Sequence, residues 1–126
     1  MSGKTILVVD DELIIRDLLF RSLSQNDYRV ILARDGFEAI DIYKAQTEKI
    51  DVVILDLQMP KMNGIEVLKK LRTINPNVSV ILSSGYVELL NRELAGEFED
   101  IEILVKPYLI TELYKAVQNA MKVGTI

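Results

Sequence analysis

Residues 52–56 read Val52-Val53-Ile54-Leu55-Asp56, four branched apolar side chains in a row closed by a carboxylate. An unbroken Val/Ile/Leu run without alternation is the pattern of a strand covered on both faces, hence of a parallel sheet. Three other runs share the design. Ile6-Leu7-Val8-Val9 ends in Asp10-Asp11, Val78-Ser79-Val80-Ile81-Leu82 in Ser83-Ser84, and Ile101-Glu102-Ile103-Leu104-Val105 in Lys106-Pro107. Strands are predicted over Thr5–Val9, Arg29–Ala33, Val52–Asp56, Val78–Ser83 and Ile101–Val105.

Helical spacing fills the intervals. Between Glu12 and about Gln25, Ile14/Leu18 and Ile15/Leu19/Leu23 stack four apart. From Gly36 to about Thr47, Phe37, Ile40 and Tyr43 share a stripe; from Gly64 to about Ile74, Ile65, Leu68 and Leu71 do. A weaker pattern covers about Tyr86 to Ala95, and the last runs from about Ile110 to Val123 with Leu113, Ala116, Val117 and Ala120. Strand and helix alternate five times, which predicts a doubly wound α/β fold with right-handed crossovers. Asn63-Gly64 marks a turn, and Asn75-Pro76-Asn77 stops the third helix. The 126 residues fit one domain, 1–126, with its core over about 4–123.

Composition excludes several chemistries. There is no cysteine and no histidine, so thiolate chemistry, His-ligated zinc and a phosphohistidine donor role are all absent. The net charge is −4, and an acidic domain has no electrostatic reason to bind nucleic acid directly. Asp10-Asp11-Glu12 interrupts the first apolar run too early for a signal peptide. No stretch approaches the ~18 apolar residues of a membrane span. A cytoplasmic protein without membrane contact is expected.

In an open α/β sheet, ligands bind outside the carboxyl ends of the strands. Parallel packing of these runs would bring Asp10, Asp11, Asp56, Ser84 and Lys106 to one small site. Each has a simpler reading when taken alone. Asp10-Asp11 would cap the helix that follows, Asp56 and Ser84 would be turn residues, and Lys106 a solvated lysine ahead of Pro107. Together they are harder to dismiss. At about 4 Å and an effective dielectric near ~20, each like-charged pair costs about 4 kcal/mol, so the acids must raise a pKa or hold a cation. Few oxygen ligands beside a phosphate favour Mg2+ over Ca2+. The main-chain carbonyl of Gln58 completes the protein's share. Asp56 is then the nucleophile that becomes an acyl phosphate. Lys106 pairs with one phosphoryl oxygen and the Ser84 hydroxyl donates to another, which supplies the positioning and charge neutralisation that phosphoryl transfer requires.

The segments Ile6-Leu7-Val8-Val9-Asp10-Asp11-Glu12, Leu55 to Gly64 with Met59-Pro60 inside it, Leu82-Ser83-Ser84-Gly85-Tyr86 and Val105-Lys106-Pro107-Tyr108 together resemble the response-regulator receiver domain, in order and in spacing. The resemblance implies a flavodoxin-like five-stranded parallel sheet of order 2-1-3-4-5 with five helices on two faces. It makes Asp56 the phosphoacceptor, Asp11 a direct metal ligand and Asp10 a ligand acting largely through metal-bound water. It also implies a cis Lys106-Pro107 bond, and a histidine kinase or histidine phosphotransfer domain as donor. A downstream effector protein or domain would read the switched surface. A homodimer through the fourth helix, fifth strand and fifth helix is a candidate association. Gln58 and Tyr86 occupy positions that tune acyl-phosphate lifetime. Three positions depart from the pattern: Ile103 stands where an aromatic switch residue is usual, Asn63 replaces an Asp before the loop glycine, and Glu97 to Glu102 is unusually acidic.

Two other classes are weighed. A Mg2+-dependent aspartyl phosphatase of the haloacid-dehalogenase type needs an acid two residues after the nucleophile, where this chain has Gln58. A flavin carrier needs hydroxyls and amides in its first loop, where Asp10-Asp11-Glu12 would repel a phosphate. A receiver that no longer takes phosphate and serves only as an interaction domain is the remaining alternative.

Overall fold

The computed structural model describes residues 3–85 and 101–123. Its elements are β1 (Thr5–Val9), α1 (Leu13–Ser24), β2 (Arg29–Ala33), α2 (Gly36–Gln46), β3 (Val52–Asp56), α3 (Gly64–Ile74), β4 (Val80–Ser84), β5 (Glu102–Val105) and α4 (Ile110–Val123). The strands form one sheet of order β2-β1-β3-β4-β5, parallel throughout. This is the flavodoxin-like order that the resemblance implied. The helix expected from about Tyr86 to Ala95 lies outside the described residues, so four of the five expected helices are seen among them.

Side chains alternate across each strand, and both faces of this sheet are covered. Leu7, Val9, Val53, Leu55, Val80 and Leu82 pack with Ala39, Ile40, Tyr43, Ile65, Val67, Leu68 and Leu71 from α2 and α3. Ile6, Val8, Val52, Ile54, Ile81 and Leu104 pack with Leu19, Leu23, Leu113, Ala116, Val117 and Ala120 from α1 and α4. An uninterrupted apolar run is thus one strand feeding two cores.

The structure corrects the sequence reading in three places. β4 begins at Val80, two residues later than expected, because Val78 closes a turn through its N–H to the Asn75 carbonyl (3.0 Å). On α1 only the Ile15/Leu19/Leu23 stripe packs inward, while Ile14 and Leu18 are exposed at 80% and 47%. Phe37 on α2 is likewise exposed, although Ile40 and Tyr43 are buried. Helical periodicity finds an apolar face without telling whether the core or the outside meets it.

Candidate functional site

Parallel register brings the strand ends together. Val9 of β1 is the Cα partner of Leu55 of β3, so Asp10 and Asp56 leave the sheet side by side. Asp56 is in turn the partner of Ser83 on β4, and Ser84 is the partner of Val105, one residue before Lys106. Carboxylate oxygens of Asp10, Asp11 and Asp56 lie within 4.8 Å of one another. Asp10 and Asp56 are buried and Asp11 is exposed. The Lys106 Nζ sits 3.3 Å from Asp10 Oδ2 and 3.6 Å from Asp56 Oδ1.

Asp10 is held at every polar atom. Its N–H donates to the Ala33 carbonyl (3.2 Å), Oδ1 accepts from the Glu12 N–H (2.9 Å), Oδ2 accepts from Lys106, and its carbonyl accepts from Arg16 Nη1 (2.7 Å). Neither Asp10 nor Asp11 caps α1. The N-cap is Glu12, whose side chain makes no capping bond. The capping reading of the acid pair therefore fails, which leaves both carboxylates to the cluster.

Burial pushes the Asp56 carboxyl up from 3.8 to about 6. Repulsion from Asp10, and more weakly from Asp11, adds to that, while Lys106 and the Gln58 N–H (3.3 Å from Oδ1) oppose it. For Lys106, burial acts to lower the pKa, but Asp56 and Asp10 together outweigh it and the net direction is upward. The ammonium stays charged between two acids. The Tyr108 phenol is pushed up to about 12, first by burial and then by Asp10 and Asp56, which marks it as a neighbour of the site.

The loop after β3 explains Asn63-Gly64. A Cβ at Gly64 would fall 2.5 Å from the Asp56 carbonyl oxygen and 2.7 Å from the Leu57 Cα. The Gly64 N–H donates to the Leu57 carbonyl at 2.7 Å. Only a residue without a side chain lets α3 start this close to Asp56. Asn63 and Glu66 form a capping box that fixes that start, so Asn at the departing position does structural work there.

At the end of β4 the two serines divide. The Ser83 carbonyl accepts from the Leu57 N–H and the Ser84 carbonyl from the Lys106 N–H, both at 2.8 Å. The β4 backbone thereby ties Asp56's loop to Lys106. Both side chains are buried, and the Ser83 Oγ makes no hydrogen bond among the described residues.

The site geometry can be set against known proteins. The profile of the response regulator receiver domain family matches residues 6–118. The chain belongs to this family. The receiver is 36% identical over 119 residues to sporulation initiation phosphotransferase F of Bacillus subtilis, covering 94% of each chain. A crystal structure of a receiver domain protein from Clostridium thermocellum superposes with a TM-score of 0.87 at 34% identity, with 94% of each chain covered. The response regulator TrrA of Thermotoga maritima, solved in complex with Mg(2+)-BeF, matches with a TM-score of 0.82 at 33% identity over 93% of this chain and 98% of that one. Other curated relatives are longer: the receiver spans 46% of the response regulator MprA of Mycolicibacterium vanbaalenii.

The receiver's class of function is phosphorylation-dependent signalling in two-component systems. The Lys106-Pro107 bond is cis, as the resemblance implied. Ile103, at the expected switch position, lies on β5 beside Leu82 and is partly exposed. Tyr86 lies outside the described residues. Among the described residues no helix is long and apolar enough to cross a membrane. Sequence reasoning missed Arg16 and Tyr108 as members of the site's surroundings and set Ser83 aside in favour of Ser84. Arg16 carried a signal, a cation on a turn otherwise lined with Ile and Leu, whereas the other two depended on register.

Proposed function

We propose that Asp56 accepts a phosphoryl group and that the acyl phosphate switches a surface read by a partner. The observation that carries this reading is the Lys106 ammonium 3.3 Å from Asp10 Oδ2 and 3.6 Å from Asp56 Oδ1, beside three carboxylates gathered within 4.8 Å. An Asp56 oxygen attacks phosphorus. One O–P bond forms as the P–N bond to a donor histidine, or the P–O bond of acetyl phosphate, breaks, and the leaving group takes the electron pair. Lys106 is the group that turns from the carboxylates to a phosphoryl oxygen, and the Ser84 hydroxyl donates to another.

The donor set of Asp10, Asp11 and Asp56 consists of hard oxygens and fits Mg2+, and the carbonyl of Gln58, whose N–H already meets Asp56, is the further ligand. Bound there, Mg2+ would offset the charge of the acids and of the incoming phosphoryl oxygens. The Mg(2+)-BeF complex of the related TrrA supports this choice.

A phosphodonor must bring its own residue to Asp56, so it has to touch the rim. That rim is apolar: Leu13, Ile14 and Leu18 of α1, Leu109 just ahead of α4 and Ile110 at its first position are exposed, flanking the acid pair and Lys106. A histidine kinase or a histidine phosphotransfer domain is the donor of this reading, and an effector protein or domain its reader. Added charge of about −1.5 to −2 at Asp56 biases two pre-existing states of the β4 end and β5. Ile103 and Val105 are exposed on β5, where self-association would bury them. Gln58 and Tyr86 tune the lifetime of the acyl phosphate.

The test is intact mass after incubation with acetyl phosphate and Mg2+. The expected result is a gain of one phosphoryl group, lost in Asp56→Asn and in metal-free controls. No gain, with Mg2+ binding retained, would leave an interaction domain that works without phosphate.

A further inference from the structure

We infer that Arg16 is a positioning residue for the metal-binding acids, acting through the main chain between Asp10 and Asp11. Its side chain is 9% exposed, and arginine is almost never this buried without a partner. Among the described residues no carboxylate lies within 4.0 Å of its guanidinium. The hydrogen bond it makes is from Nη1 to the carbonyl oxygen of Asp10, at 2.7 Å in a buried setting. A buried cation without a counter-ion is costly, and an apolar side chain of similar volume would fill the space at less cost. What such a side chain would lack is the bond to that carbonyl.

The bond matters because of what it fixes. The Asp10 carbonyl and the Asp11 N–H belong to one rigid plane. Asp10 is already tied by its N–H to β2 and by its carboxylate to Glu12 and Lys106. Asp11 is exposed, and among the described residues no hydrogen bond of its own holds its carboxylate. Its aim is inherited from the plane that Arg16 anchors. Arg16 is carried on the first turns of α1 (its own N–H donates to the Glu12 carbonyl at 3.0 Å), so the helix is the rigid base and the guanidinium the strut. Such outer partners of metal ligands affect affinity strongly without touching the metal.

The inference rests on the acids being a Mg2+ site, and the experiment keeps the two apart. Mg2+ binding to the whole chain is measured by isothermal titration for the parent, Asp11→Asn, Arg16→Met and Arg16→Lys, with thermal melts in chelator alongside. Arg16→Met is expected to weaken Mg2+ binding by about tenfold or more. Arg16→Lys, which keeps a cationic donor, should lie closer to the parent. Phosphorylation by acetyl phosphate should slow in Arg16→Met at limiting Mg2+ and recover at saturating Mg2+. If the parent binds Mg2+ and Arg16→Met binds it equally well, or if the rate defect persists at saturating Mg2+, this inference falls. If the parent and Asp11→Asn are alike in binding none, the metal reading falls instead. Should Arg16→Met not fold, Arg16→Gln, shorter and uncharged, carries the test: a dissociation constant unchanged despite a lowered melting temperature would show a role in folding alone and overturn the assignment.

Discussion

Asp56 carries a cost that the fold tolerates. Its carboxyl titrates near 6 in the folded chain against 3.8 for the ordinary group, so between those values the folded state binds more protons than the unfolded one. Stability contributed at this residue therefore falls as pH rises through that window, and the penalty persists above it. Two units correspond to roughly 2–3 kcal/mol. Asp56→Asn should melt higher than the parent at pH 7.5 in chelator, with the difference closing below about pH 4 as both side chains become neutral; thermal denaturation against pH checks this. Only the carboxylate attacks phosphorus, so the rate of phosphorylation by acetyl phosphate should drop on acidification, with its midpoint below that of the metal-free carboxyl because bound Mg2+ favours the ionised form. Beside Asp56, the Ser83 hydroxyl, unpaired among the described residues, is a liability of about 1–3 kcal/mol, so Ser83→Ala should leave stability unchanged or raised, whereas Ser84→Ala should lose partner switching. Asp56 and Lys106 were legible in the sequence because they end apolar runs. Register sets Ser83 opposite Asp56 and Ser84 opposite Val105, next to Lys106, and register is not written in either residue.

At the scale of elements, the β3–α3 loop and α1 show what local sequence can and cannot announce. The Met62 N–H bonds back to the Pro60 carbonyl at 2.8 Å around Lys61, whose φ is 71°. A non-glycine residue in that tight turn is strained by about 1–3 kcal/mol. Lys61→Gly should raise stability modestly, by less than about 1 kcal/mol after the added freedom of the unfolded chain is counted, as denaturant titration would register. Gly64→Ala should do the opposite and also slow phosphorylation, since the methyl would press on the Asp56 backbone. The turn was readable from Asn63-Gly64, but the reason for glycine, the approach of another segment, was not. On α1 the two apolar stripes were equal by spacing, and the fold buries one. Ile14→Ser on the other should change stability by no more than about 0.5 kcal/mol. It should slow transfer from a phosphorylated protein donor while leaving acetyl phosphate turnover intact; parallel rate measurements with the two donors separate these outcomes.

Across the whole molecule, the layering followed from alternation of pattern, because a two-faced parallel sheet leaves few other arrangements for these lengths, whereas the strand order was implied by the resemblance to receivers. What alternation could not supply was the register that brings β1, β3, β4 and β5 to a common edge, since that is set by packing across both cores at once. The ion pair at that edge joins residues 96 positions apart. Lys106 reaches Asp10 only after the first and last strands occupy the same sheet, so the reactive group is assembled by the contacts that close latest in a chain of this topology. Reactivity is therefore a clock for folding. A chain diluted from denaturant into acetyl phosphate and Mg2+ should stay inert while its early strands collapse, and should acquire the phosphoryl group with the time constant of its last strand docking.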